Sequence, residues 1–237
     1  MRDNYIGVFD SGIGGTTILK ELLKYLPYEN YIYYADCKNN PYGNKSDKVL
    51  MKIVINIVNY FIRRKVKLIV IACNTATTRC IDMLRKLYPS MLFIGVEPAV
   101  KVACDKEYKN ILVMATEGTI KSFKLLKLID NNKKDGENIY LVPCEGLAFA
   151  IEKKDNIAIN NILHNVLDKY VNYNIDAIVL GCTHYPLVSN KILEIIPSAR
   201  LIDGNIGVVE HVKQVLKENN LLNISQNRGK IEFITTH

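Results

Sequence analysis

Short runs of β-branched and aromatic residues alternate along this chain with segments of helical length. The runs are Ile6–Phe9, Tyr31–Ala35, Leu68–Ala72 and Phe93–Val96 in the first half, then Ile111–Ala115, Ile139–Val142, Ala177–Gly181 and Leu201–Ile202 in the second. Between them lie Thr16–Leu26, Lys48–Arg64, Ala76–Tyr88 and a segment from Ala99 onward, followed by Ile120–Ile129, Gly146–Glu152, Ile157–Asn172 and Leu187–Ile196. Strands that alternate with helices predict an α/β fold with mainly parallel sheets.

The alternation also repeats. IGVFDS (6–11) faces ILVMAT (111–116), IYYADC (32–37) faces IYLVPC (139–144), and IVIACNT (69–75) faces IVLGCTH (178–184), with Phe93-Ile94 facing Ile202-Asp203 more weakly. The offset stays near about 105 to 109 residues, the length of a domain rather than of a solenoid unit. Ile/Val-rich strands resemble one another by chance, and an ordered register argues against chance. Two similar α/β domains related by a pseudo-two-fold axis are therefore expected: 1–97 with 208–237 carrying Asp10 and Cys73, and 98–207 carrying Cys182 and His184. Their Cys-bearing turns would face each other across a cleft, because open parallel sheets bind ligands at the carboxyl ends of their strands.

Composition narrows the function classes. No stretch of 18 apolar residues reads as a membrane span, and no signal-peptide pattern precedes the first strand, so a cytoplasmic location is expected. The net charge of +7 comes from Lys and Arg spread along the chain, which reads as a solvated surface and not as a nucleic-acid footprint. The six cysteines are too dispersed for a disulfide framework and are expected as free thiols, with Cys37, Cys80, Cys104 and Cys144 structural.

The unusual polar residues gather at strand ends. Cys73-Asn74-Thr75 closes one strand and opens a helix, which sets the thiol beside orphan N–H groups and a positive dipole end, both of which lower a thiol pKa. Cys182-Thr183-His184 repeats the arrangement, with Pro186 where a helix can start. Cys182 and His184 are also zinc-type ligands, but no third and fourth ligand stand at zinc-site spacing, so no metal is expected. Asp10-Ser11-Gly12-Ile13-Gly14-Gly15 lets backbone approach a ligand closely, and it matches neither a Walker loop nor GxGxxG. The Asp10 carboxylate must be used or paired there. Pro41-Tyr42-Gly43 is either a plain turn or an anion-binding one. Thr119 either binds a carboxylate or helps to cap its helix. Glu152 and Asp36 are polar neighbours of the cleft or solvated surface groups.

These residues resemble the glutamate racemases within the aspartate/glutamate racemase family. DSGIGG at 10–15, NPYGNKS at 40–46, ACNTAT at 72–77 and GCTHYPL at 181–187 look like that family's motifs in order and spacing, over nearly the whole chain. The resemblance implies that Cys73 and Cys182 exchange the substrate's α-proton, supported by Asp10 and His184. It places glutamate contacts on Asp10, Ser11, Tyr42, Gly43, Asn74, Thr75, Thr119, Thr183 and His184. It further implies a supply of D-glutamate for peptidoglycan, with a homodimer as the candidate assembly. Three features depart from the pattern: Asp36-Cys37-Lys38-Asn39 lacks the usual Arg, Glu117-Gly118 replaces the usual Pro-Ala, and relatives usually continue beyond Ile231–His237 into a helical segment.

Inverting a stereocentre by proton transfer needs a base on one face and an acid on the other, and two thiols meet that need. No Lys in the Cys motifs offers an aldimine to pyridoxal phosphate, so a cofactor-free reaction is expected. The alternatives are a racemase of aspartate or another acidic amino acid, and a non-catalytic amino-acid-binding protein on the same fold.

Overall fold

The computed structural model describes residues 2–237. They form two compact units, one built from Met1–Val96 with Asn205–His237 and the other from Glu97–Gly204.

In the first unit β1 (Ile6–Asp10), β2 (Tyr31–Ala35), β3 (Leu68–Ile71) and β4 (Phe93–Gly95) alternate with α1 (Thr16–Tyr25), α2 (Asp47–Arg63) and α3 (Asn74–Leu87). The strands are wholly or almost wholly buried and read as continuous apolar runs, as strands covered on both faces must. One face packs on Ile18, Leu19 and Leu22 of α1, and the other on Val54, Ile57 and Phe61 of α2 with Ile81 and Leu84 of α3. The second unit contains β5 (Asn110–Ala115), β6 (Asn138–Pro143), β7 (Ala177–Gly181) and β8 (Arg200–Ile202). Its helices are α4 (Val100–Asp105), α5 (Glu117–Ile120), α6 (Phe123–Asn132), α7 (Leu147–Glu152), α8 (Asn156–Leu167) and α9 (Ser189–Ile195).

All strand pairs are parallel, and the two sheets share one plan. The first runs β4-β3-β1-β2 and the second β8-β7-β5-β6, the same order once each strand is replaced by its counterpart. The sequence repeat is therefore a repeat of strand order. In each sheet the order reverses between the first and third strands, and such a switch point opens a crevice at the carboxyl ends where α/β sheets hold ligands. Asp10 and Cys73 follow the strands at one switch point, and Thr116 and Cys182 follow those at the other.

The first sheet has one strand more. β9 (Ile231–Thr235) lies parallel to β2, with Tyr31 opposite Ile231 and Ala35 opposite Thr235, after α10 (Asn205–Glu218) has packed Val209, Val212 and Leu216 against α1. Neither element was expected from the sequence. A buried ion pair fastens the returning segment: Lys67 Nζ lies 2.5 Å from Glu29 Oε2 and donates to the Leu221 carbonyl, while Glu29 Oε1 accepts from Asn223 N–H at 2.7 Å. Gly229 is required beside it, since a Cβ there would fall 1.8 Å from the Glu29 carbonyl oxygen.

Three expected helices differ. The segment expected at Ile120–Ile129 is two helices, because Ser122 takes an extended conformation and its hydroxyl caps α6 by accepting from Leu125 N–H. The segment expected at Ile157–Asn172 ends as α8 at Leu167 and continues as a 3₁₀ turn over Asp168–Tyr170. The segment expected at Leu187–Ile196 begins instead as a 3₁₀ turn, Tyr185–Val188, before α9. Among the described residues no helix is long and apolar enough to cross a membrane.

Candidate active site

In the first unit Cys73 is the N-cap of the fourteen-residue α3, in an extended conformation, and its carbonyl accepts the first helical bond from Thr77 N–H at 2.8 Å. Its buried thiol therefore stands at the positive end of the helix dipole, which favours negative charge. Asn74 and Thr75, the next two residues, are buried with it. Thr77, which the sequence reading passed over, joins strand ends: its hydroxyl donates to the Ile71 carbonyl and accepts from Val96 N–H.

Asp10 is fully buried at the end of β1, and Oδ2 accepts from Gly15 N–H at 2.8 Å and, more weakly, from Gly12 N–H at 3.4 Å. Such bonds offset part of the cost of burying the charge. Only glycine fits at position 15, where a Cβ would fall 2.6 Å from that of Asp10. Tyr33 donates its hydroxyl to the Gly12 carbonyl and fixes the loop from below, beside the buried Ser11.

Tyr42 is more than a turn residue. It is buried, and its hydroxyl donates to Asp36 Oδ2 at 2.7 Å. Burial pushes the phenol well above its ordinary pKa, and the charges of Asp36, Cys73 and Asp10 act in the same sense, so Tyr42 lies among the residues of this cluster. Asp36 is a buried hub that also accepts from Asn39 and from Thr236, just past β9. Asn40 donates to the Ser11 carbonyl, which ties the loop holding Gly43 to the glycine-rich one.

In the second unit Cys182 follows β7, but it does not open an α-helix as expected. Tyr185 N–H bonds the Cys182 carbonyl in a 3₁₀ turn of four residues, with Pro186 at its start supplying no N–H. So short a turn provides little aligned dipole. A side-chain relay stands there instead: Cys182 Sγ lies 3.8 Å from His184 Nδ1, and His184 Nε2 lies 2.7 Å from Glu152 Oε1 at the end of α7. His184 is buried and the Glu152 side chain is 13% exposed, so the pair is shielded from water. Glu152, weighed in the sequence as a neighbour or a surface group, is the carboxylate that orients the imidazole. Its partner is 32 residues away, so no local spacing could pair them.

Thr183 is buried beside the relay. Thr119 is also fully buried, but the helix caps are its neighbours: Thr116 caps α5, Ser122 caps α6, and Thr119 Oγ1 accepts from the Thr116 hydroxyl. Beneath Cys182, burial pushes the Cys144 thiol up to about 12, with Cys182 adding to the shift, and Cys80 in the first unit is also pushed up to about 12 by burial. All six cysteines are thiols, none joined in a disulfide. Among the described residues no group of three or more His, Cys, Asp or Glu is placed to hold a metal ion.

Each half thus presents a thiol just past a strand end at its switch point, and the model of the Asp/Glu/Hydantoin racemase family matches residues 34–212. The chain belongs to that family. It is an isomerase by that membership. The racemase is 42% identical to the glutamate racemase of Clostridium acetobutylicum, over 100% of this chain and 93% of that one. Among solved structures it is similar to the glutamate racemase of Francisella tularensis in complex with D-glutamate, with a TM-score of 0.86, 32% identity and coverage of 100% of this chain and 89% of that one. It is also similar to a glutamate racemase isoform of Bacillus anthracis, with a TM-score of 0.88, 28% identity and coverage of 100% and 90%.

Proposed function

We propose that the chain interconverts L- and D-glutamate without a cofactor, with Cys73 and Cys182 acting on opposite faces of one α-carbon. The observation that carries this reading is the pair of strand-end thiols at equivalent switch points of a repeated sheet, one with Asp10 at the end of the neighbouring strand and the other 3.8 Å from His184. Support for glutamate comes from relatives that bear that name and from the D-glutamate bound to one of them.

In one direction the Cys73 thiolate takes the α-proton and becomes a thiol, while the Cys182 thiol gives its proton to the opposite face and becomes a thiolate. The reverse direction exchanges these roles. Asp10 assists the first transfer and His184, oriented by Glu152, the second. The N–H groups at the start of α3 and in the Tyr42-Gly43 loop bind the carboxylates, with Ser11, Asn74, Thr75, Thr119 and Thr183 completing the contacts. Negative charge that grows toward the α-carboxylate in the carbanion is stabilised there. We place the enzyme in the cytoplasm, where its D-glutamate supplies peptidoglycan.

The test follows the circular dichroism of each glutamate enantiomer over time. Cys73→Ala and Cys182→Ala each abolish interconversion; full turnover by either variant refutes the reading. A matched assay with aspartate separates the neighbouring substrate.

A further inference from the structure

The loop 40–46 has no regular structure, so side-chain contacts fix its path. Asn40 and Tyr42 hold its beginning through the Ser11 carbonyl and the Asp36 carboxylate. Its end is held from α3: Arg79 Nη2 donates to the Lys45 carbonyl at 2.6 Å, and Lys45 N–H in turn bonds the Tyr42 carbonyl at 3.2 Å. Arg79 Nε also donates to Asp47 Oδ1 at 2.7 Å, just inside α2. The Arg79 side chain is 12% exposed and that of Asp47 85% exposed. The ion pair is therefore screened by water and worth little, whereas the bond to the carbonyl is shielded.

We propose that Arg79 is a positioning residue that sets the Tyr42-Gly43 turn against Cys73-Asn74-Thr75, the start of its own helix. The inference rests on the glutamate racemase reading. The turn and the helix start are the two N–H-bearing elements proposed to receive the substrate's carboxylates, and a fixed distance between them fixes which acidic substrate spans them. Arg79 touches no substrate. It acts through one backbone carbonyl, five residues along the helix from Asn74.

The experiment compares Arg79→Met, Arg79→Lys and Asp47→Asn for KM, kcat and thermal midpoint with both glutamate enantiomers, and for amide hydrogen exchange of residues 42–45 without substrate. Arg79→Met is expected to raise KM about tenfold for both enantiomers, the effect of one lost charge-assisted bond. Its kcat stays within about twofold, because proton transfer is untouched. Arg79→Lys, which keeps one donor, recovers part of KM, and Asp47→Asn leaves KM unchanged. A purely structural role would lower the thermal midpoint without moving KM, and that result overturns the inference. So does an Asp47→Asn variant that raises KM as much as Arg79→Met. If the wild-type chain does not interconvert glutamate, the functional reading fails, and the exchange data still judge the clamp: protection at 42–45 falls in Arg79→Met if it exists and is unchanged if it does not.

Discussion

Cys73 heads a helix of fourteen residues and stands near a carboxylate held by backbone N–H groups, whereas Cys182 heads a 3₁₀ turn of four residues and stands beside an imidazole held by a carboxylate. The two halves share a strand order and differ in what surrounds each thiol. In the first, backbone dipoles supply positive potential. In the second, where Pro186 and the short turn weaken that source, the neighbouring group is the His184 imidazole, itself paired with Glu152. A duplicated fold fixes where the two thiols sit and leaves their surroundings free to diverge.

After the loss of either thiol itself, the largest effects should come from removing the groups beside them. Asp10→Asn and His184→Asn are each expected to lower kcat about a thousandfold, within the range for a lost acid or base. Steady-state kinetics in both directions provide the check. Enantiomers have equal free energy, so kcat/KM must stay equal in the two directions in every variant, even where kcat and KM shift separately. A smaller loss, about tenfold in kcat, is expected for Glu152→Gln, which keeps a hydrogen bond to His184 Nε2 but loses the charge that stabilises the imidazolium. No loss there would make His184 independent of its carboxylate and dissolve the contrast between the halves.

The smallest effects concern buried thiols outside the proposed proton transfers. Burial pushes the Cys80 and Cys144 thiols up to about 12, above the ordinary thiol range. A raised value keeps the neutral thiol in the folded state, so the stability it contributes is complete below about pH 9 and is lost as pH rises toward 12. Thermal midpoints measured across that window should fall with pH, and Cys80→Ala with Cys144→Ala should flatten the decline. Iodoacetamide at pH 8 should leave both thiols unlabelled in the native chain.

Much of this was legible in the sequence. The strands at the two switch points and the residues after them could be read because a buried parallel strand is a continuous apolar run, and polar residues at its end stand out. β9 was not legible: at a sheet edge it keeps Ile231 and Phe233 exposed, and the segment leading to it is fastened by the Lys67–Glu29 ion pair, far away in sequence. The Cys182 turn was misread as a helix start because Pro186 suits both a first helical turn and a 3₁₀ turn. Glu152 and Arg79 act through contacts that only the folded chain creates.

The central claim is most directly tested by running the reaction in deuterated water and reading the α-position of product and unreacted substrate at early times. Two opposed thiols predict that newly formed enantiomer carries deuterium from solvent while recovered substrate still carries hydrogen, for L- and D-glutamate alike. Product that retains the substrate's own α-hydrogen would mean that one group both takes and returns the proton, and the two-thiol account would be wrong.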